Sequence, residues 1–176
     1  MRVAITIFWG WLSLACASHT AHPVQTHHHA PQTTEEAALR AIRGVHRGAG
    51  PWVVAGYRMG QAALARLGLP HGSFDLEVVH HAPREVQFSC IADGAAAATG
   101  ASLGRLNLSL EPAPAADTRT TYRNKQTGVS VTLETTPGFS ERYANVPRPQ
   151  LAAAGLEVLQ LRDAEIFRDA QPLHRP

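Results

Sequence analysis

Cysteine is scarce in this chain: Cys16 and Cys90 are the only two among 176 residues. Cys16 lies in the N-terminal segment, so Cys90 is the one cysteine in the rest of the sequence. If the N-terminal segment is removed, Cys90 has no intramolecular disulfide partner. A lone thiol in an oxidising compartment is buried, metal-bound or kept for its reactivity.

Blocks of like charge are also absent. Sixteen Lys and Arg and fourteen Asp and Glu residues are spread along the chain, for a net charge of +2. Without a basic block, nucleic acid is not indicated as a partner. Apolar residues make up 44% and charged residues 17%, which is typical of one globular domain rather than a disordered chain.

The apolar run at the N-terminus is too short to span a membrane comfortably. It covers residues 3–14, follows a positive start at residues 1–2, and precedes a small-x-small cleavage pattern at residues 15–17. The pattern predicts a signal peptide over residues 1–17, export to the periplasm, and no stable membrane span in the mature protein. The alternatives are a lipoprotein modified at Cys16 and an uncleaved anchor.

Histidine, by contrast, is concentrated in one segment. Residues 18–32 are polar, contain proline, and hold half of the ten histidines: His19, His22, His27, His28 and His29. This composition predicts a disordered linker. Neutral imidazoles bind zinc, copper and nickel, so the linker is a candidate metal collector, and the alternative is a solvated linker with no specific role.

Two helices are predicted to open the folded region. Thr33 and Glu36 have the spacing of a capping box, which indicates the start of the first helix. The second helix is predicted over residues 51–67, because proline favours a first helical position and a glycine follows the last apolar residue. Gly56 and Gly60 lie four residues apart in it, which indicates close packing against another backbone.

Strand-like and helical patterns alternate along the rest of the chain. A short helix of tiny residues is predicted after Cys90. The elements are strands over residues 74–80, 85–89, 106–111, 118–123 and 129–133, helices over 93–99 and 151–161, and a short element over 164–167. This order predicts an α+β domain over residues 33–170, with N-terminal helices packed on a mixed or antiparallel sheet. Residues 171–176 form a tail.

Two blocks of residues form a combined motif. The first block contains Pro51, Gly56-Tyr57-Arg58-Met59-Gly60, Ala63 and Leu64; the second contains Cys90, Asp93-Gly94, Thr99-Gly100, Ser102, Gly104, Arg105 and Asn107. In this order they resemble the FmdE family, which takes its name from formylmethanofuran dehydrogenase. That family pairs a His-Gly-His-x-Cys-Pro turn and a Gly-Tyr-Arg helix with a later cysteine, an Asp-Gly helix and a Gly-x-Thr-x-Gly-Lys-x-Asn segment. The resemblance implies a metal-binding fold over most of the exported domain.

The first family motif is incomplete in this chain. His46 keeps the first histidine, whereas Gly48 stands in place of the second histidine and Gly50 in place of the cysteine. The cysteine-rich zinc ribbon of some members is also missing. The family's metal binding is therefore implied only in part. Membership of a cytoplasmic molybdenum or tungsten enzyme complex is not implied for an exported protein.

Cys90 is the centre of the predicted site. Zinc takes three or four nitrogen, sulfur or oxygen ligands, and the donors are Cys90, His46 and either His80 or His81. Adjacent strand residues point to opposite faces, so at most one of the two strand histidines is expected to face the site. Three protein ligands would leave an open position on zinc or another divalent transition metal.

Cys90 has two other interpretations. At the start of the helix over residues 93–99, its thiol would have a lowered pKa, and His80 or His81 would serve as base for a nucleophile. Asp93 would then orient that histidine or cap the helix. The remaining interpretation is a small cysteine buried against alanines.

Arg58, Arg105 and Asn107 complete the predicted pocket. Arginine beside a glycine-rich turn can hold a carboxylate or phosphate, and the alternative is an ordinary ion pair. Asn107 has the structural alternative of bonding to neighbouring backbone.

The leading prediction is therefore an exported metal-binding protein for handling, sensing or delivery. The alternatives are a Cys90-dependent enzyme acting on a small anionic substrate and a non-catalytic binder of a metal-containing cofactor. An exposed strand edge or a C-terminal arm would permit a homodimer.

Overall fold

The structure is a computed structural model that describes residues 33–170. The predicted signal peptide, the histidine-rich linker, Cys16 and the tail over residues 171–176 lie outside the described residues. Within residues 33–170, none of the helices has the length and apolar character needed to cross a membrane.

Five strands form one mixed sheet. They are β1 (Leu76–Ala82), β2 (Leu108–Pro112), β3 (Arg119–Asn124), β4 (Ser130–Thr135) and β5 (Phe167–Asp169). Their order across the sheet is β2-β1-β3-β4-β5. β1 and β2 are parallel, and the remaining neighbours are antiparallel, with Val78 opposite both Leu108 on β2 and Tyr122 on β3. The predicted α+β fold with a mixed sheet is confirmed.

Six α-helices accompany the sheet in the described region. They are α1 (Thr34–Val45), α2 (Pro51–Leu67), α3 (Val86–Thr99), α4 (Pro137–Tyr143), α5 (Leu151–Gln160) and α6 (Asp163–Ile166). The predicted capping box is present: the Thr33 hydroxyl accepts from the Glu36 amide, and the Glu36 carboxylate accepts from the Thr33 amide. α2 has the predicted bounds and ends at Gly68, which is left-handed at φ 64°.

α2 and α3 cross at a contact between backbones. A β-carbon at Gly56 would overlap the carbonyl of Ile91 on α3, and one at Gly94 would overlap the carbonyl of Val53 on α2. Gly60 faces the same helix, where a β-carbon would lie 2.7 Å from that of Ala98. The close packing predicted from glycine spacing is confirmed, and the alanine-rich part of α3 is a helix-packing surface.

The predicted strand over residues 85–89 is wrong. α3 begins at Val86, so Cys90 is its fifth residue, and Asp93 lies inside the helix rather than at its cap. β1 already has β2 and β3 as neighbours, which leaves no place for another strand beside it. The helix instead places the Phe88 ring against Trp52, with centroids 5.4 Å apart, so tertiary packing overrides a strand-like local pattern.

Two other strand bounds and one helix differ from prediction. β1 begins and ends two residues later than the 74–80 prediction, and β2 begins at Leu108 rather than residue 106. α4 is an additional helix that the sequence patterns do not predict. It begins after Thr136, whose hydroxyl accepts from the Phe139 amide, with Pro137 at the first helical position.

Candidate metal and ligand site

His46 and Cys90 meet although they are 44 positions apart in the chain. His46 is the C-terminal cap of α1, and Cys90 lies in the second turn of α3. The distance from His46 Nε2 to Cys90 Sγ is 3.2 Å. Two ligands of one tetrahedral zinc lie about 3.5 Å apart, so this pair is near the separation that a shared metal requires.

A backbone carbonyl orients the His46 ring. Its Nδ1 lies 2.6 Å from the Gly48 carbonyl oxygen. Because a carbonyl only accepts, Nδ1 carries the proton and donates it, and the Nε2 lone pair is directed at Cys90. This is the tautomer that a histidine needs both as a metal ligand through Nε2 and as a base toward a thiol.

The Cys90 thiol is half-buried within the helix layer. Burial raises its pKa, and the negative charge of Asp93 one turn further along α3 raises it further. The lowered pKa predicted for a cysteine at a helix start is therefore contradicted. The physical reason is the longer α3, which moves Cys90 away from the N-terminus and brings the Asp93 carboxylate onto its side.

A cavity of about 600 Å³ lies over the His46–Cys90 pair. Its walls come from the turn before α2, the first turns of α2 and α3, and the segment from the end of α4 to α5. The lining side chains are largely apolar, and they include Trp52, Val53, Val86, Val146 and Leu151. Arg148 is the one formally charged side chain among the described lining residues.

The N-terminus of α2 borders this cavity. Gly50 is the helix cap and supplies no side-chain hydrogen bond, and Pro51, Trp52 and Val53 of the first turn also line the wall. The positive end of a 17-residue helix therefore faces the cavity. This end of the helix favours a negatively charged group in the cavity.

His80 is buried on the helix-facing side of β1 and has both ring nitrogens in use. Nε2 donates to the Phe88 carbonyl at 3.2 Å, and Nδ1 accepts from the Thr120 hydroxyl at 2.8 Å. Burial is the main cause that lowers its pKa to about 4. His80 is therefore a neutral structural residue that ties β1 to α3 and β3.

His81 occupies the other face of β1, as strand alternation requires. The structure thus brings neither strand histidine to His46 and Cys90. Among residues 33–170, no three His, Cys, Asp or Glu side chains converge in a group that could hold a metal ion. His46 and Cys90 are therefore the two candidate metal ligands that residues 33–170 bring together.

Arg58 binds backbone rather than a ligand. Its guanidinium donates to the carbonyls of Leu159 at 3.0 Å and Leu161 at 3.1 Å, and pairs with Asp163 at 2.6 Å. It therefore caps the C-terminus of α5 and is absent from the cavity wall.

Arg105 and Asn107 are structural in the same way. Arg105 donates to the carbonyls of Gly100 at 3.1 Å and Gly72 at 2.6 Å, and its guanidinium stacks on the Phe74 ring at 4.0 Å. Asn107 is buried, accepts from the Ser102 amide at 3.0 Å and donates to the Leu76 carbonyl at 3.2 Å. These two residues of the second motif block therefore hold the loop before β2.

Arg148 is a cavity residue that the sequence patterns did not single out. It lies between Pro147 and Pro149 just before α5, and the structure places it on the cavity wall. The signal in the sequence is an arginine between two prolines, directly before an apolar helix start.

Comparison with known proteins supports the resemblance. Among curated proteins, no match to this chain was found. The model of one family, described as "FmdE, Molybdenum formylmethanofuran dehydrogenase operon", matches residues 45–168, from the end of α1 into β5. That range contains His46, Cys90 and every described residue of the cavity wall. The chain belongs to the FmdE family.

Proposed function

We propose that this protein binds a soft divalent transition metal, zinc foremost, at His46 and Cys90, and that it handles, senses or delivers that metal outside the cytoplasm. The observation that carries the proposal is the 3.2 Å approach of His46 Nε2 to Cys90 Sγ beneath a cavity. Imidazole and thiolate are preferred zinc ligands. Membership of the FmdE family supports a metal-related role.

The site is open on the cavity side. Gly48 and Gly50 stand where the family motif has ligand side chains, and both positions have room for one: a β-carbon at Gly48 meets nothing within 4 Å, and at Gly50 its nearest atoms are 3.8 Å away on Leu151. With two protein ligands, the other coordination positions face the cavity. An open set of this kind suits exchange of the ion rather than a closed structural site.

Export is part of the proposal and rests on the sequence. The pattern over residues 1–17 is typical of a signal peptide, and the histidines of residues 18–32 would collect metal near the domain. Lipidation at Cys16 is the alternative form of export.

Zinc binding by variants tests the site. The background is the mature chain with the five histidines of residues 18–32 replaced by glutamine, so that only the domain contributes. We expect one zinc per chain, and a loss of at least about tenfold in affinity for both Cys90→Ala and His46→Ala. Unchanged zinc binding in both variants would refute the site, and so would zinc that disappears when only the linker histidines are replaced.

Restoring a missing ligand gives the converse test. Gly50→Cys adds a thiolate at the motif position, and zinc affinity should rise by about tenfold or more. Gly104→Cys is the matched control, because that position is also open but lies away from the cavity. Equal gains in the two variants would show that the added thiol binds zinc without His46 and Cys90.

A second candidate function is nucleophilic catalysis by Cys90. Enzymes of this kind use a thiol, a base beside it and a group that orients the base. Here Cys90 would be the thiol, His46 the base and the Gly48 carbonyl the orienting group. The raised pKa of Cys90 opposes a resting thiolate. Alkylation by iodoacetamide at neutral pH separates the two functions: metal binding alone predicts a slower reaction than in the unfolded chain, and a nucleophile predicts a faster one.

A further inference from the structure

We infer that the cavity above His46 and Cys90 binds an organic anion with an apolar body, its negative group paired with Arg148. The inference deepens the proposed function and rests on it in one respect: the ligand occupies the open side of the metal pair. The charge and the size of the ligand are inferred from the lining and the volume of the cavity.

Charge selects an anion. No Asp or Glu is among the described residues that line the cavity, and Arg148 is exposed there. Within residues 33–170 the Arg148 guanidinium has neither an ion pair nor a hydrogen bond, whereas Arg142, six residues earlier, pairs with Glu157. A cationic side chain left without a carboxylate at the edge of an apolar cavity attracts anions and repels cations.

Size and lining select an organic molecule. A volume of about 600 Å³ lies within the range of small-molecule sites and far exceeds a metal ion or a phosphate. Val86 and Leu151, which are exposed, and the edge of Trp52 give the wall an apolar surface that an inorganic ion would leave uncovered. Trp52 is held rigidly, because its Nε1 donates to the Tyr143 carbonyl at 3.0 Å and its ring packs on Phe139.

Two fluorescent probes of nearly equal shape test the charge requirement in the mature full chain. The probes are 8-anilinonaphthalene-1-sulfonate and its neutral analogue, N-phenyl-1-naphthylamine. We expect one sulfonate per chain, and Arg148→Gln should weaken it about tenfold while changing the neutral probe less than about twofold. Arg43→Gln removes the same charge from the exposed last turn of α1, outside the lining, and should change neither probe.

A cavity-filling variant establishes where the probes bind. Ala152 lies on the wall, so Ala152→Trp should weaken both probes. Unchanged binding in Ala152→Trp would place the probes elsewhere and overturn the inference. Equal effects of Arg148→Gln on the two probes, or equal effects of Arg148→Gln and Arg43→Gln on the sulfonate, would overturn it as well.

Metal-free and zinc-loaded protein separate the two proposals. If zinc does not bind but the sulfonate binds through Arg148, the proposed function fails and the anion site stands. If zinc binds through Cys90 and the sulfonate shows no dependence on Arg148, the anion site fails and the function stands. If both proposals are correct, Cys90→Ala loses zinc binding. Its sulfonate affinity in the metal-free state should stay within about twofold of the wild-type value.

Discussion

The α2–α3 pair is closed along its middle and open at one end. In the middle, Gly56 and Gly94 bring the two backbones together without room for a methyl group. At the N-terminal ends of both helices, the chain leaves a cavity of about 600 Å³. Glycine has a different effect in the two regions. On the helices the missing side chain lets the backbones touch, and in the turn at Gly48 and Gly50 it leaves room beside the cavity.

This contrast separates residues that hold the fold from residues that line the cavity. Gly94 of the Asp-Gly pair, Arg58, Arg105 and Asn107 all belong to family-like motifs, and all four contact backbone groups of this chain. The residues that line the cavity come mostly from element ends and loops. In this chain these four motif residues therefore hold the fold around the His46–Cys90 pair.

The largest expected effect comes from adding one methyl group to the closed region. In Gly94→Ala, the new β-carbon would overlap the Val53 carbonyl and lie 2.6 Å from the Tyr57 amide nitrogen. Backbone atoms on both sides cannot move without separating α2 from α3. We expect a loss of at least about 3 kcal/mol in the free energy of unfolding, measured by urea denaturation.

Gly44→Ala is the matched control for helix propensity. Gly44 lies in α1 with nothing within 4 Å of a β-carbon, so alanine there should stabilise by about 0.5–1 kcal/mol. If Gly94→Ala were neutral, the helices would have room between them, and the contrast between a closed middle and an open end would fail.

His80 extends the comparison to pH, because both of its ring nitrogens are bonded inside the closed part of the molecule. The pKa of His80 is lowered to about 4 in the folded protein from the ordinary histidine value of 6.5, so between these values the unfolded chain binds more protons. The stability that neutral His80 contributes is present above about pH 6.5 and is lost as the pH falls toward 4. The expected loss between pH 7 and pH 4.5 is about 2 kcal/mol.

The His80→Gln variant isolates this contribution. It should be less stable at neutral pH but lose less stability on acidification, as followed by urea denaturation at the two pH values. His81→Gln, on the opposite face of β1, is the control and should keep most of the wild-type pH dependence. A steeper change in His80→Gln than in the wild type would show that the acid sensitivity arises elsewhere.

Much of the fold could be predicted because its signals are local. Pro51 and Gly68 mark the ends of α2, Thr33 and Glu36 form a capping box, and the hairpin predicted over residues 118–133 is present as β3 and β4. α3 could not be bounded in this way. Val86 and Phe88 alternate with polar residues as in a strand. The helix forms because β1 already has a neighbouring strand on each side and because the Phe88 ring packs on Trp52.

The site was predictable in its centre and not in its surroundings. The approach of His46 to Cys90 was expected from the family resemblance, since no local pattern links residues 44 positions apart. Arg58 and Arg148 look alike in sequence. Their roles differ because Arg58 meets the carbonyls at the end of α5, whereas Arg148 is held before α5 at the cavity edge.

The smallest effect expected is that of Arg58→Met, which sharpens the comparison between a structural arginine and the cavity-lining Arg148. Methionine keeps much of the side-chain stem but leaves the Leu159 and Leu161 carbonyls without their donor. We expect a loss of about 1 kcal/mol in the free energy of unfolding, with zinc and sulfonate binding unchanged. Arg66→Met is the control on the same helix, because its ion pair with Asp169 is exposed and worth less than about 0.5 kcal/mol. If Arg58→Met weakened zinc or sulfonate binding more than it lowered the free energy of unfolding, the assignment of Arg58 as a structural residue would be wrong.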